Sequence, residues 1–290
     1  HLLWRAGFGG TDEQIRTLAQ WGPSAAVDFL LDFDQIPAQD DPAGAFDKDI
    51  MRPRSRAEIQ AYRRAQQTGD EETLARFREM RQRAQREDRR QMREIQHWWL
   101  ARMVQSPRPL QEKLTLFWHG HFATAYRTIE DSYHMYQQNR FLRGAALGSF
   151  ATLLRGIIRD PAMLRYLNNN QNRKQSPNEN LAREIMELFS LGEGHYSERD
   201  IKDGARALTG FTYNDDAFEF NQNNHDQTSK NILSLRGNLD GDGLVNAILL
   251  SPFCAPFISA KLYKFFVADI PTDTTRLAGA QRKVVQAMSS

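Results

Sequence analysis

Apolar residues recur at helical spacing along most of this chain, and they predict a mainly α-helical fold. Residues three and four positions apart share one face of an α-helix, because 3.6 residues complete a turn. In the segment 176–189 this spacing places Leu181, Ile185, Leu188 and Phe189 on one stripe, which we expect to face the core. Similar stripes recur before and after this segment, so we predict a multi-helix globular bundle.

Helix-start signals divide this pattern into separate elements. Asp160 before Pro161 places a capping side chain ahead of a proline, which is favoured at the first helical position. Ser176 and Pro177 repeat this arrangement, and Glu179 would complete a capping box, so we predict that a helix starts at Ser176. The same reasoning predicts helix starts at Thr11, Asp70 and Ser197.

Alternating apolar and polar residues, which mark a β-strand, occur near residues 211–220. Two short runs flank the turn-forming residues Asn214, Asp215 and Asp216. They predict one short β-hairpin, which is the one clear strand signal in the chain.

Residues near 55–95 are helical in pattern but polar nearly all round, which is typical of a helix that protrudes from the body. The stretch 52–110 contains fifteen Arg against eight Asp or Glu. An anionic polymer would suit this excess, but acidic residues are interspersed, so we favour a solvated helix with internal ion pairs over a nucleic-acid partner. We predict one large all-α domain over 1–290, within which 52–95 forms an Arg- and Gln-rich helical insertion or arm.

The composition is that of a globular chain with a sizeable core, since 40% of the 290 residues are hydrophobic and the net charge is +2. No apolar run reaches the roughly 18 residues that cross a bilayer, so we predict no transmembrane segment in this chain. Cys254 is the one cysteine, which excludes an internal disulfide and a multi-cysteine metal site.

Candidate chemistry is densest within 176–189. Glu184 and Glu187 flank the apolar stripe on one side of the predicted helix, with Arg183 beside them. Carboxylates at the edge of a core are partly desolvated and need a cation. That cation is either an arginine or a metal ion, and the sequence leaves both open.

Histidines elsewhere are candidates to complete a metal site. His119 and His121 stand at a predicted helix end, where Gly120 would stop the helix and turn both rings inward. His225 and Asp226 follow the hairpin, although a plain surface loop explains them equally well. Neutral imidazoles and carboxylates are common ligands of divalent metals. The other interpretation of the first pair is that one ring hydrogen-bonds a terminal carbonyl and the other packs with aromatic residues.

A set of short motifs occurs together in this chain. They are 117–122 (Phe-Trp-His-Gly-His-Phe), 159–164 (Arg-Asp-Pro-Ala-Met-Leu), 171–174 with 177–180, 182–184 with 186–189, 191–192 with 194–196, 205–210 and 225–226. In combination they resemble the bacterial family known as domain of unknown function 1800, over roughly residues 1–30 and 95–268.

The resemblance implies a location more than a chemistry. Members of that family are often exported, which implies a periplasmic or extracellular protein. They often accompany a second family that is similar to alkaline phosphatases and sulfatases, which implies a partner protein of that kind and work on surface polymers. The resemblance assigns no catalytic residue.

Two functions are therefore open. The first is a metal-assisted hydrolase or related enzyme acting on an extracytoplasmic polysaccharide or other anionic polymer, with a divalent metal ion that lowers the pKa of bound water. The second is a non-catalytic helical module that anchors or assembles a surface complex.

For the enzyme, candidate residues can be assigned by role. The candidate catalytic residues are Glu184, Glu187, Arg183 and His195. The candidate substrate-binding residues, three amides and a cation suited to a polyol or an anionic group, are Asn172, Arg173, Asn178 and Asn180. The candidate metal ligands are His119, His121, His225 and Asp226.

Overall fold

Helices make up most of the fold, as the hydrophobic pattern predicts. A computed structural model describes residues 1–39, 44, 46–271 and 276–289 of the chain. Across these residues it contains fifteen α-helices and two small antiparallel sheets. The protein is mainly α-helical.

The helices of the first half extend to residue 166. They are α1 (Leu2–Arg5), α2 (Asp12–Trp21), α3 (Pro23–Leu31), α4 (Arg56–Thr68), α5 (Glu71–Gln105), α6 (Pro109–His121), α7 (Tyr126–Ile129), α8 (Ser132–Gly144), α9 (Phe150–Ile157) and α10 (Pro161–Tyr166).

The second half combines helices with the strands. Its elements are α11 (Asn180–Glu184), a π-helical continuation (Ile185–Leu191), α12 (Glu198–Ala207), β1 (Phe211–Asn214), β2 (Ala217–Phe220), β3 (Lys230–Ile232), β4 (Leu235–Gly237), α13 (Gly241–Leu249), α14 (Cys254–Phe266) and α15 (Gly279–Ser289).

Side-chain caps begin several helices where the sequence predicts them. Thr11 and Gln14 exchange both hydrogen bonds of a capping box, at 3.2 and 2.9 Å. Gly69, in the left-handed region with φ of 68°, ends α4 and lets the chain turn into α5. Side-chain caps also begin α5, α10 and α12, and the capping residues are Asp70, Asp160 and Ser197.

The predicted hairpin is confirmed, and a second one accompanies it. In the first, Phe211 pairs with Phe220 across β1 and β2. In the second, Lys230 pairs with Gly237 across β3 and β4. The three-residue strands of the second hairpin are too short to show an alternating pattern in the sequence.

One large hydrophobic cluster joins α3 and α6 with the helices from α8 to α14. Its central side chains have no exposed surface, and Leu154, Leu164, Ile185, Leu208 and Leu244 are among them. Each such side chain contributes about 1.5–3 kcal/mol through its burial. This cluster is the frame on which the polar candidate residues are placed.

The Arg-rich segment forms a hairpin of α4 and α5, and α5 is about 52 Å long at 1.5 Å per residue. Exposed ion pairs lie along it, for example Arg83 with Glu87 at 3.2 Å and Arg90 with Glu94 at 3.5 Å. This arrangement is that of a solvated, ion-paired helix. Near the end of α5, Ile95 is buried, whereas Leu100 is 58% exposed.

The helix predicted from Ser176 begins later, at Asn180, so the predicted capping box is wrong. The Oδ1 atom of Asn172 accepts a hydrogen bond from the backbone of Asn178 at 2.9 Å, and Arg173 pairs with Ser176 as an isolated bridge. These contacts hold the intervening residues as a loop, which the local capping signals do not reveal.

From Ile185 to Leu191 this helix continues as a π-helix, in which hydrogen bonds span five residues instead of four. The wider turn rotates Leu188 away from the apolar stripe, and its side chain is 48% exposed. The prediction that Leu188 faces the core is therefore wrong. The other three members of the stripe are buried, namely Leu181, Ile185 and Phe189.

In the described part of the chain no individual helix has the length and apolar character to cross a membrane, while α13 and α14 together, bent by 76°, meet those criteria of length and composition.

The division of the chain stays a prediction, namely a single domain over 1–290 with an insertion at 52–95.

Candidate functional site

Gly120 does not end α6, so the prediction that it stops the helix and turns both histidines inward is wrong. The helix continues through Gly120 to His121, so His119 and His121 project from different sides of it. The ring of His119 packs against Trp99 with 4.9 Å between the ring centroids. The Nε2 atom of buried His121 lies 2.8 Å from the carbonyl oxygen of Phe189. These contacts match the interpretation in which one ring bonds a carbonyl and the other packs with an aromatic residue.

Lys261 of α14 joins this contact at the end of the π-helix. Its Nζ atom donates to the carbonyl oxygen of Leu188 at 2.7 Å and lies 3.4 Å from Nδ1 of His121. Burial lowers the pKa of Lys261 to about 8. Burial and the charge of Lys261 lower the pKa of His121 to about 3. Two side chains thus satisfy carbonyl groups that the helix end leaves without helical partners.

Glu184 and Glu187 form a half-buried acidic pair with Tyr196 beside them. The hydroxyl of Tyr196 donates to Oε2 of Glu187 at 2.5 Å. Burial raises the pKa of Glu184, and repulsion from Glu187 raises it further. Burial and the hydrogen bond to Glu187 raise the pKa of Tyr196. Two neighbouring carboxylates in different environments are a known basis for acid and base roles.

Arg183 forms its ion pairs with other carboxylates, although its charge acts to lower the pKa of Glu184. It binds Glu179 at 3.2 Å and Glu198 at 2.9 Å, and the hydrogen bond to Glu198 is the main cause of its raised pKa. Its guanidinium group therefore joins α11 to the start of α12.

His195 lies in the turn after the π-helix and stacks on Phe253, with 3.9 Å between the ring centroids. Its Nδ1 atom is buried, and the residues that the structure describes offer it no hydrogen-bond partner. His195 is thus close in sequence to the acidic pair, and the contact that holds its ring is the one with Phe253.

Two of the predicted substrate-binding amides have structural partners instead. Buried Asn172 donates from Nδ2 to the carbonyl of Ala205 at 2.9 Å and to Oδ1 of Asn169 at 3.0 Å. Asn178 accepts from the backbone of Asn180 at 3.0 Å. The side chains of Arg173 and Asn180 are exposed. Asn172 and Asn178 therefore shape the loop before α11.

His225 and Asp226 are also held by neighbouring elements. The Nδ1 atom of His225 lies 2.8 Å from the carbonyl oxygen of Thr209. Asp226 accepts from Arg206 at 2.7 Å and from the hydroxyl of Thr228 at 2.5 Å. Burial acts to raise the pKa of Asp226, but the hydrogen bonds from Arg206 and Thr228 outweigh it and hold that pKa far below its usual range.

The four predicted metal ligands do not form a cluster. Among the described residues there is no group of three or more His, Cys, Asp or Glu side chains placed to hold a metal ion. Each of the four has protein contacts of its own, with Trp99, Phe189, Thr209 or Arg206.

The structure does bring two of the sequence motifs together around a polar pocket of about 500 Å³. The backbone N–H of Lys174 donates to the carbonyl of Asn224 at 2.9 Å, which joins the loop before α11 to the loop after β2. The pocket is lined by Lys174, Gln222, Asn223, His225, Asp226, Gln227 and Thr228. We call it the polar pocket.

A family model covering nearly the whole chain decides the relationship to known proteins. It matches residues 1–287. The chain belongs to the family described as Protein of unknown function (DUF1800). This membership confirms the resemblance, and the match also spans the Arg-rich segment. Neither the curated proteins nor the solved structures gave a match.

Sequence reasoning missed several buried polar residues. Glu112 is fully buried and accepts hydrogen bonds from Arg102 and Arg143, which joins α5, α6 and α8. Lys230 is almost fully buried and donates to the carbonyl of Thr228 at 3.1 Å, beside the polar pocket. Glu112 stands between Gln111 and Lys113, and its partners are distant in sequence, so no local signal marks it as buried.

Proposed function

We propose that this protein is a non-catalytic helical module that binds a surface polysaccharide at the polar pocket. The observation that carries the proposal is the meeting of Lys174 with the amides of Gln222, Asn223 and Gln227 in one concave site. Amide groups both donate and accept hydrogen bonds, as sugar hydroxyls do. A few convergent polar groups of this kind orient a ligand.

The accessible cation of the pocket favours a polymer with acidic groups, since the carboxylate of Asp226 is paired with Arg206. The Lys174 side chain is exposed, and it forms no ion pair within the described residues, so its ammonium group is accessible to a ligand. The ring of Phe220 lies 5.0 Å from that of His225 at the edge of this region and offers an apolar face. An extracytoplasmic location, which the family resemblance implies, is part of this proposal.

The titratable groups of the pocket favour binding over catalysis. A general base must be able to take a proton at the working pH and must reach the substrate. The carboxylate of Asp226 has a very low pKa and is bonded to Arg206 and Thr228, so it is a poor base. His225 has Nδ1 directed to the carbonyl of Thr209, so only its other nitrogen is available to a ligand.

Affinity electrophoresis tests this proposal. The protein is run through native gels that contain alginate as an acidic polysaccharide or dextran as a neutral one. We expect retardation by alginate that Lys174→Gln reduces, and Gln222→Ala combined with Asn223→Ala reduces it as well. Lys283→Gln, which removes an exposed lysine of α15 outside the pocket, is the matched control. The proposal would be contradicted if neither gel retarded the protein. It would also be contradicted if the pocket variants were retarded as strongly as the wild type.

The acidic pair supports a second candidate, a hydrolase acting on the same class of polymer. The raised pKa of Glu184 beside Glu187, with the Tyr196 hydroxyl at 2.5 Å from Glu187, is an arrangement suited to acid and base roles. Release of reducing ends from alginate, measured for the wild type, Glu184→Gln and Glu187→Gln, tests this candidate. Metal analysis of the purified protein tests its metal-assisted form.

A further inference from the structure

The N-terminal helices expose an unusual amount of apolar surface. No residue of α2 is buried, although the helix carries Ile15, Leu18 and Trp21. Trp4 is 70% exposed, and Val104, at the end of α5 nearby, is 81% exposed. Single exposed apolar residues are normal, but a contiguous group of them marks an interaction surface.

This surface is concave. A groove of about 650 Å³ runs between α2 and the end of α5, and it is lined by residues that include Phe8, Leu18, Trp21, Phe29, Met103 and Val104. A second groove of about 430 Å³ lies on the other side of α2. Both are lined by Leu3, Gly10 and Leu18, so they are continuous around α2. We call them together the N-terminal groove.

Few contacts hold α2 in place. Its start is fixed by the Thr11 capping box, and its end by an edge-on ring contact between Trp21 and Phe29 at 5.2 Å. A helix of ten residues is marginal without tertiary packing. An occupant of the groove would therefore add the burial that α2 lacks.

The charge on the α2 and α3 side of the groove is mostly acidic, while Lys113, beside the ring of Phe8, and Arg108, which pairs with Asp34, lie on the other side. From residue 11 to residue 39 the chain contains a single basic residue, Arg16. The acidic residues of this stretch are all exposed, and they are Asp12, Glu13, Asp28, Asp32 and Asp34. Glu13 itself lines the groove. The acidic side chains of α2 and α3 therefore favour an occupant with cations along the face that meets this side.

We propose that the N-terminal groove binds an amphipathic helix of a partner polypeptide, with Lys or Arg along its polar face. Apolar side chains at helical spacing would enter the groove, and the basic face would meet Glu13 and the other acids. A membrane surface does not fill a concave groove in this way.

Fluorescence anisotropy with designed peptides tests this proposal. The probe is a labelled 18-residue helix with Leu at positions i, i+3, i+4 and i+7 and Lys on its polar face. The matched probe replaces every Lys by Glu, and vesicles of phosphatidylglycerol and phosphatidylcholine serve as the membrane probe. We expect the Lys peptide to bind with a Kd at least tenfold lower than the Glu peptide, at one peptide per protein.

Substitutions locate the binding. Val104→Arg places a cation in the groove at an exposed position, so we expect at least a tenfold weaker Kd for the Lys peptide with an unchanged Tm. Glu13→Lys should act in the same direction. Leu250→Arg makes the same chemical change at an exposed apolar residue that does not line the groove, and it should leave the Kd unchanged.

Three results would overturn the proposal. The first is equal binding of both peptides, and the second is binding that Val104→Arg and Leu250→Arg reduce alike. The third is vesicle binding or concentration-dependent self-association that Val104→Arg abolishes in the absence of peptide, since the occupant would then be a membrane or a second copy. The polar pocket contributes no residue to the groove, so failure here leaves the polysaccharide proposal standing.

Discussion

His121 donates a hydrogen bond from Nε2 to the carbonyl oxygen of Phe189 at 2.8 Å, and this contact fixes which ring nitrogen carries the proton. A carbonyl oxygen can only accept, so Nδ1 of the neutral ring carries the lone pair. That lone pair faces Nζ of Lys261 at 3.4 Å, and Nζ also donates to the carbonyl of Leu188. The two side chains therefore connect α6 and α14 to the end of the π-helix.

The first prediction concerns acid stability. The pKa of His121 is about 3 in the folded protein against an ordinary 6.5, so between these values the unfolded chain binds the proton and the folded protein does not. Stability should therefore fall as the pH falls through this window, by up to about 1.4 kcal/mol per pH unit from this residue. His121→Gln keeps an N–H donor for the Phe189 carbonyl and removes the titration.

Urea unfolding of the wild type and His121→Gln at pH 7, 6, 5 and 4 measures this effect. As the pH falls, the free energy of unfolding of the wild type should decrease steadily relative to that of His121→Gln. Parallel pH curves for the two proteins would show that His121 does not titrate as proposed.

The second prediction concerns alkaline pH. The pKa of Lys261 is about 8 in the folded protein against an ordinary 10.5, so the unfolded chain holds the extra proton between these values. The wild type should gain stability relative to Lys261→Met as the pH rises from about 8 to about 10.5. The neutral amine can still donate to the Leu188 carbonyl, so the contact survives deprotonation.

Chemical unfolding at pH 7.5, 8.5 and 9.5 gives the comparison. Lys264→Met, a change at an exposed lysine of the same helix, is the control. If the wild type gained as much stability relative to Lys264→Met as relative to Lys261→Met, burial of Lys261 would not be the cause of the gain.

The third prediction concerns the attachment of the Arg-rich segment. Glu112 is fully buried and accepts from Arg143 at 2.8 Å and from Arg102 at 3.1 Å. Glu112→Ala leaves buried arginine charge without its carboxylate, so we expect a loss of about 3–5 kcal/mol. Glu71→Ala removes an exposed partner of Arg78 and should change stability by less than about 1 kcal/mol.

Urea unfolding curves give both values on one scale. A loss for Glu112→Ala no larger than that for Glu71→Ala would show that the buried cluster is not what fastens α5 to α6 and α8.

Local signals in the sequence predicted the fold well because their partners are local. Thr11 and Asp70 cap helices through the backbone three residues ahead, so their roles can be recognised without tertiary information. The start at Asn180 could not be recognised, because Asn172 diverts the preceding residues through a bond to the carbonyl of Ala205, which is distant in sequence. The π-helix, in which Leu188 is exposed, is also not indicated by the spacing of the apolar stripe.

The candidate site was predictable only as a set of residue types. The sequence marks His121 and His225 as suitable for a metal, but their partners, the carbonyls of Phe189 and Thr209, carry no side-chain signal. Spacing likewise allowed Arg183 to pair with Glu179, while its second partner, Glu198, lies beyond the turn. The contacts of these candidate residues are thus made with backbone carbonyls and with side chains distant in sequence, which the sequence does not indicate.

The fourth prediction concerns Asp160 and has the opposite sign to the first. Burial raises its pKa to about 6 from 3.8, although hydrogen bonds from Met163 and Gln138 oppose the shift. The folded protein therefore binds the proton between these values, and its stability falls as the pH rises from about 4 to about 6. Both hydrogen bonds end on Oδ1, an acceptor that Asp160→Asn retains without the charge.

Asp160→Asn should therefore gain stability relative to the wild type between pH 4 and pH 7, by up to about 3 kcal/mol. Asp160→Ala loses the cap as well and should be less stable than the Asn variant by about 1–2 kcal/mol at every pH. Urea unfolding across this range measures both differences. If the difference in unfolding free energy between the wild type and Asp160→Asn stayed constant, Asp160 would be ionised in the folded protein throughout this range. Its two hydrogen-bond donors would then stabilise the charge in spite of burial.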